Sequence, residues 1–280
     1  MFKNLSNKID FDPTLDKLTP LNISRTGKTF ILHKDIKYFV KYDQNKDVIY
    51  SEYKCLLFLD EKNISLFPKP FGFFSNSNGA YLICEFINFK KNNNFFELGL
   101  MLAQFHQNTN INYGFFHDTY CGPTLQINSW NCDWYDFFFN TKIKYQLDLA
   151  IKKKYVDKNY SKMVLDLLKK NKSLFLDRIP SLIHGDLWSG NIGTDIHNKP
   201  RLFDPSLYYG DYEADIAMTE LFGGFDQKFY EGYNHIKKFE PGFKNRSNFY
   251  KLYHILNHLN IFGSSYKYDL DNIIKKIVAT

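Results

Sequence analysis

Asp186, Asn191 and Asp204 fall within one short stretch, LIHGDLWSGNIGTDIHNKPRLFDPS, running from Leu182 to Ser206. Apolar residues lie between them, and Gly and Pro punctuate the stretch. Asp and Asn are common turn formers in surface loops. Two carboxylates and an amide set beside Trp188, Leu202 and Phe203 instead call for a charged group to meet them. Carboxylates this close repel each other and raise a pKa unless a cation intervenes. The trio therefore predicts a metal.

The spacing narrows the chemistry. Asn191 follows His184-Gly185-Asp186 after four residues, and Asp204 stands thirteen positions beyond it. Phosphoryl-transfer sites use H-R-D-x-x-x-x-N and a later metal-binding Asp. Here Gly185 replaces the Arg, and Asp204-Pro205-Ser206 replaces D-F-G. Mg²⁺ is a hard cation that takes oxygen ligands from few protein groups, which Asn191 and Asp204 can supply. Asp186 must stay off the metal to accept a proton from an attacking hydroxyl. Such a site also needs a lysine and a glutamate upstream. Lys41 shares a strand face with Phe39 in KYFVK. Glu52 lies in a helical stripe of Val48, Cys55, Leu56 and Leu59, where an unpaired carboxylate is costly. Lys41 is the natural partner; the alternative is a solvent-facing Glu52 on the helix edge. The segment NISRTGKTF, from Asn22 to Phe30, holds a single glycine, Gly27, and matches neither a Walker A nor a G-x-G-x-x-G loop. If it covers nucleotide, it does so as a Ser/Thr/Gly hairpin.

Two textures must position these residues. Residues 16 to 87 carry short β-type runs (FILH, YFVKY, FGFF, YLICEFI) interrupted by one helix from about Asp43 to Asp60. Beyond the polar connector KNNN the chain reads as mainly helical, with Leu98, Met101, Leu102 and Phe105 at helical spacing. The expected fold is α+β and bilobal: a small β-rich N-terminal lobe over 1–87 with one helix, and a larger helical lobe over 88–280. A cleft between them is a common place for a ligand.

The chain has 280 residues, 44% hydrophobic and 18% aromatic, with a formal charge of +6. That length and composition argue for a folded core and against disorder. The lysines are spread along the whole length, and arginine occurs only at Arg25, Arg178, Arg201 and Arg246. No basic stripe of the nucleic-acid-binding kind results, and no nucleic-acid partner is expected. The four cysteines, Cys55, Cys84, Cys121 and Cys132, have no framework spacing and read as thiols in a reducing compartment. The opening MFKNLSNKID lacks the apolar stretch of a signal peptide, and no apolar run is long enough for a bilayer. A cytoplasmic monomer with no membrane partner is the expectation. His254 and His258 are four apart on a helix, a spacing compatible with a metal, but no third ligand is evident and packing or surface is preferred. His106 ends an apolar helix face and reads as structural. Asp215 sits on a helix stripe with Met218, Thr219 and Phe222 and is expected to bond to backbone of the Asp186 loop.

LIHGDLWSGN, followed by DPSLYYGDYEADIAMTELFGGF, resembles the fructosamine-3-kinase (ketosamine kinase) family. This is a branch of the aminoglycoside-phosphotransferase-like, protein-kinase-like fold. GPTLQINSWNCDWYDFF resembles its connecting region and LYHILNHLNIFG its closing helix. The resemblance implies an ATP- and Mg²⁺-dependent kinase with Asp186 as base and Asn191 and Asp204 as metal ligands. Lys41 and Glu52 would be the phosphate-holding pair. Glu85, Phe86 and Ile87 would form the hinge to adenine, with Gly27 in the nucleotide loop and His184 and Trp188 on the sugar side. The substrate would be a small-molecule or protein-bound ketosamine phosphorylated on the 3′-hydroxyl of its sugar portion, which makes the adduct unstable and recovers the amine. Some members carry a Cys near the position of Asn22, so redox control there is not expected. Three other readings stay open: kinase action on another small alcohol (aminoglycoside, choline or sugar metabolite), a catalytically dead nucleotide-binding module, and a basic nucleic-acid binder.

Overall fold

Alternation along KYFVKYD splits the strand between two environments. Tyr38 and Val40 pack with Leu32 and Ile83 on the outer face of a sheet, where Ile9 and Phe11 cover them. Phe39 points the other way, into the main core, and Lys41 shares its face. The computed structural model describes residues 8–24 and 27–279, with backbone only at 22–24. Its sheet comprises β1 (Leu18–Ser24), β2 (Gly27–His33), β3 (Lys37–Asp43), β4 (Pro70–Asn76) and β5 (Gly79–Glu85). All neighbours are antiparallel, in the order β1-β2-β3-β5-β4. The β1–β2 turn expected at Arg25-Thr26-Gly27 lies outside the described residues except for Gly27.

Helix α1 (Lys46–Glu61) crosses the inner face of the sheet. It starts later than the Asp43 expected from sequence. Asp43 still pairs in the β3 ladder, and the Asn45 side chain caps the helix by accepting from the Asp47 N–H at 3.1 Å. Its apolar face is wider than one stripe: Ile49 and Tyr53 are buried along with Cys55, Leu56, Leu57, Phe58 and Leu59. A helix enclosed on two sides reads this way.

After β5 the chain is mainly helical: α2 (Phe95–Phe105), α3 (Trp134–Phe137), α4 (Tyr145–Lys152) and α5 (Lys158–Lys170), then α6 (Glu213–Leu221), α7 (Gln227–Ile236), α8 (Phe243–Phe262) and α9 (Lys267–Val278). A π-helical turn, Phe138–Lys144, joins α3 to α4. Three two-stranded ribbons are set among them: β6 (Thr119–Cys121) with β7 (Thr124–Gln126), β8 (Ser181–Ile183) with β11 (Tyr208–Gly210), and β9 (Ile192–Thr194) with β10 (Pro200–Leu202). α2 and α7 cross at backbone distance. A Cβ on Gly99 would lie 2.1 Å from the Phe229 carbonyl oxygen, and one on Gly232 would lie 2.1 Å from that of Phe96. One hydrophobic cluster runs from α1 through α2 to α8 and α9. No helix among the described residues is long and apolar enough to cross a membrane.

Candidate active site

The thirteen-position gap between Asn191 and Asp204 is a hairpin. Ile192 pairs with Leu202 at the open end of β9–β10. Phe203 N–H then donates to the Asn191 carbonyl at 2.9 Å. Asn191 and Asp204 therefore flank the same end of one ribbon. Asp204 takes a left-handed backbone conformation, with φ of 50°, which is uncommon for a residue other than glycine. Its side chain is 50% exposed.

Ribbon β8–β11 aligns the other half. Ile183 pairs with Tyr208, and the Ser206 N–H donates to the His184 carbonyl at 2.8 Å. Gly185 turns the chain there with φ of 82°. A Cβ at this position would stand 2.2 Å from the Ser206 carbonyl oxygen. Only glycine fits, which accounts for the residue between His184 and Asp186.

A buried carboxylate fixes this turn. Asp215 on α6 accepts from the His184 N–H at 2.7 Å and from the Gly185 N–H at 2.9 Å. His106, at the end of α2, contacts Asp215 at 3.2 Å through Nε2 and the Tyr233 hydroxyl of α7 at 2.7 Å through Nδ1. Burial alone would raise the Asp215 pKa, but His106, His184 and the backbone donors hold it below the ordinary value.

His184 is not available to a substrate. Its exposure is 0%, and its ring stacks on Phe67. Nδ1 accepts from the Asp186 N–H at 3.2 Å, so Nε2 carries the proton and donates to the Phe203 carbonyl at 2.7 Å. The expectation of a sugar-facing His184 is corrected accordingly: the imidazole ties the Asp186 turn to the Asp204 loop. Trp188 differs, with 40% of its surface exposed. Its ring lies over Gly190, where a Cβ would come within 2.2 Å of it.

Lys41 joins the sheet to this loop cluster. Its Nζ lies 2.7 Å from Glu52 Oε2 and 2.9 Å from Asp204 Oδ1. Burial works to lower the lysine's pKa, but the charges of Asp204 and Glu52 outweigh it and raise the pKa above the ordinary value. Burial pushes Glu52 up to about 7 against the pull of Lys41. Asp204 is held below the usual carboxylate range, because the Lys41 ammonium outweighs the carboxylate's partial loss of hydration. Burial, followed by the charge of Asp204, lifts Asp186 to about 7. The Asn191 amide nitrogen donates to the Asp186 carbonyl at 2.9 Å, which leaves its oxygen as the donor atom for a cation. The set of an ammonium, three ionisable carboxyls and an amide oxygen suits transfer of a polyanionic group to a hydroxyl.

Glu85, Phe86 and Ile87 lie where the chain leaves β5. The β3–β5 register ends at the Tyr38–Glu85 pair, so the backbone beyond it is outside the ladder. The Glu85 carboxylate meets Arg201 at 2.5 Å and its N–H donates to the Lys69 carbonyl at 2.9 Å. Lys37 stands over the Phe86 ring. Gly27 opens β2 with φ of 140°.

Two residues that the sequence reading did not connect with Asp186 converge on it. Cys121 at the end of β6 and His254 on α8 each bring one ligand atom into a group with an Asp186 oxygen, all within 4.8 Å of one another. The His254–His258 pair does not share a ligand. The His258 Nδ1 bonds to the His254 carbonyl at 2.8 Å, and its ring meets Phe222, Phe262 and Tyr266. No short-range spacing connects positions 121, 186 and 254.

Over residues 4–280 the sequence matches the model of the fructosamine kinase family. The chain belongs to the fructosamine kinase family. A Synechocystis sp. protein named "Probable ketoamine kinase" is 38% identical over 86% of this chain and 82% of its own. The chloroplastic protein-ribulosamine 3-kinase of Arabidopsis thaliana is 40% identical over 71% of this chain and 62% of its own. The solved structure of a Haemophilus somnus protein named for fructosamine-3-kinase superposes with a TM-score of 0.86 at 27% identity, covering 94% of this chain and 92% of that one. This family member is an ATP-dependent phosphotransferase with the expected mixed α and β architecture.

Proposed function

We propose that the protein phosphorylates a sugar hydroxyl of a ketosamine, an amine joined to a sugar as a ketoamine, and thereby starts its deglycation. The observation that carries this reading is the Lys41 ammonium between Glu52 and Asp204, beside the Asp186–Asn191 turn, in a chain whose relatives are named ketoamine and ribulosamine kinases.

Lys41 binds the α- and β-phosphates of ATP while Glu52 holds its ammonium in place. Gly27 lies in the hairpin that covers the phosphates. Glu85, Phe86 and Ile87 connect a nucleotide lobe over 1–87 to a substrate lobe over 88–280 and offer backbone groups to adenine. The exposed face of Trp188 lines the sugar side. Asp186 takes the hydroxyl proton as the sugar oxygen bonds to the γ-phosphorus. The bond from that phosphorus to the β,γ-bridging oxygen breaks, and ADP leaves with the electron pair. The Asn191 amide oxygen and the half-exposed Asp204 carboxylate are hard donors that fit Mg²⁺, which would neutralise phosphate charge there.

An aminoglycoside acceptor calls for acidic groups facing a polycation. The acids of DYEAD face inward instead. Asp211 binds Arg178 and the Tyr250 hydroxyl at 2.5 Å each. Glu213 takes a bidentate fork from Arg246 at 2.6 and 2.7 Å. A catalytically dead module is disfavoured because each expected catalytic position is filled.

The test is ATP consumption with Mg²⁺ on fructosyl-, ribulosyl- and erythrulosyl-lysine, an aminoglycoside and choline. Turnover on a ketoamine is expected, with kcat reduced by about 10²–10⁴ in Asp186→Asn and ATP affinity nearly unchanged by calorimetry. Turnover only on another alcohol would discard the deglycation reading. Full activity in Asp186→Asn would remove that residue as the base.

A further inference from the structure

We propose that Cys121, Asp186 and His254 form a binding site for a thiophilic divalent cation of the zinc class, and that its occupation stops turnover. The three donors are a thiol, a carboxylate and an imidazole, the types that zinc takes. Their ligand atoms already lie within 4.8 Å of one another. Bonds of about 2.0–2.3 Å in a tetrahedral site place donors about 3.3–3.8 Å apart. Small inward side-chain movements therefore close the site.

The surroundings support a ligand at this point. His254 is 4% exposed, and its buried Nδ1 has no hydrogen-bond partner. An unpartnered buried polar atom calls for an explanation, an absent ion among them. Asn257 donates its side-chain N–H to the Cys121 sulfur at 3.2 Å, a supporting contact of the kind that steadies a metal-bound thiolate. Cys121 and His254 are buried, and Asp186 is partly exposed and leaves a side open for entry and for a water ligand.

Binding forms metal–sulfur, metal–nitrogen and metal–oxygen bonds and breaks the Cys121 S–H bond. The thiol proton passes to solvent, and no oxidation state changes. Mg²⁺ does not compete for the thiol and the imidazole, because it prefers an all-oxygen shell. The two cations thus use neighbouring but different atoms: Mg²⁺ the Asn191 and Asp204 oxygens, the softer ion the Cys121 sulfur. Holding the Asp186 carboxylate removes the proton acceptor. The inhibition rests on the proposed role of Asp186; the binding does not.

The experiment titrates Co²⁺, then Zn²⁺, into the full chain. Co²⁺ is expected to give a thiolate-to-cobalt absorption that saturates at one equivalent and is displaced by Zn²⁺. The band should vanish in Cys121→Ser and persist in Cys132→Ser, which removes the exposed thiol. His254→Gln should weaken cobalt binding by a factor on the order of ten or more. With Mg²⁺ and ATP fixed, the Zn²⁺ concentration that halves turnover should rise by a similar factor in His254→Gln, relative to its own zinc-free rate. If Cys121→Ser fails to fold, the other two variants decide. Absence of the band, its loss in Cys132→Ser, or equal zinc sensitivity in His254→Gln would overturn the proposal. The cobalt spectra decide on binding even if no ketoamine is turned over.

Discussion

A carboxyl at Asp186 must be ionised to accept a proton, and its surroundings oppose that. Burial and the Asp204 charge set its pKa at about 7 in the metal-free chain. The rate should therefore fall as pH is lowered through the pKa of this group. Neutralising Asp204 with Mg²⁺ removes one cause of the upward shift, so the acid limb of kcat/KM should lie between about 7 and the ordinary aspartate value of about 4. A pH profile on a ketoamine checks this, and a rate that rises on acidification from pH 7 would contradict the base role. Trp188 makes a different prediction. Its exposed ring contributes binding area on the acceptor side, so Trp188→Ala should raise the ketoamine KM by more than the ATP KM. Equal changes in the two constants would remove it from the sugar side.

At the scale of elements, the Asp186 turn and the Asp204 loop hang on two ribbons and three helices. β9–β10 brings Asn191 to Asp204, while β8–β11 brings the Asp186 turn to Ser206. α2, α6 and α7 converge through His106, Asp215 and Tyr233 on the same turn. Gly185 is the point where these constraints meet. Gly185→Ala places a methyl against the Ser206 carbonyl in a left-handed conformation, at a cost of about 1–3 kcal/mol. The urea midpoint should fall, and kcat should fall beyond what the lost folded fraction explains, because the strain sits beside Asp186. A variant with unchanged kcat under fully folded conditions would show that the turn tolerates the shift.

Across the whole molecule, burial lowers the pKa of five imidazoles. His117 is pushed down to about 4 and His254 to about 3, while His106, His184 and His258 are also lowered, with burial as the largest cause in each. An unfolded chain takes up protons at these residues near the ordinary value of about 6.5. The folded chain takes them up only at lower pH. The unfolded state therefore binds more protons in this window, and stability falls as pH is lowered through it. Glu52 and Asp186, raised to about 7, act in the opposite sense, but the imidazoles outnumber them. Calorimetry should find Tm falling between pH 7 and pH 5, and a rise would show that the raised carboxyls dominate. The described arginines follow a related logic. Arg178, Arg201 and Arg246 all bind carboxylates within the fold, a use that suits a rigid fork better than a lysine.

The convergence of Asp186, Asn191 and Asp204 was legible because their order in the chain is their order in space. One hairpin and one turn hold Asp186, Asn191 and Asp204, so the spacing carries over directly. Lys41 and Glu52 were legible for a similar reason: strand alternation and helical period each put one residue on a known face. The fate of His184 was not. Its neighbours in sequence mark a reactive loop, while its burial depends on Phe67 and Asp215, which arrive from far along the chain. Cys121 and His254 also lay beyond reach, since three positions separated by more than sixty residues leave no periodic trace. Lys142 is the same case: fully buried, it donates to the Ile127 carbonyl at 2.9 Å and to Asn128 at 2.8 Å, and faces the Tyr208 ring. The sequence alone determined the residue types in the loops from His184 to Asp204 and the faces of β3 and α1, because local geometry dictates both. Only the tertiary structure decided which polar groups meet substrate and which are enclosed, because enclosure depends on packing between segments that local periodicity does not connect.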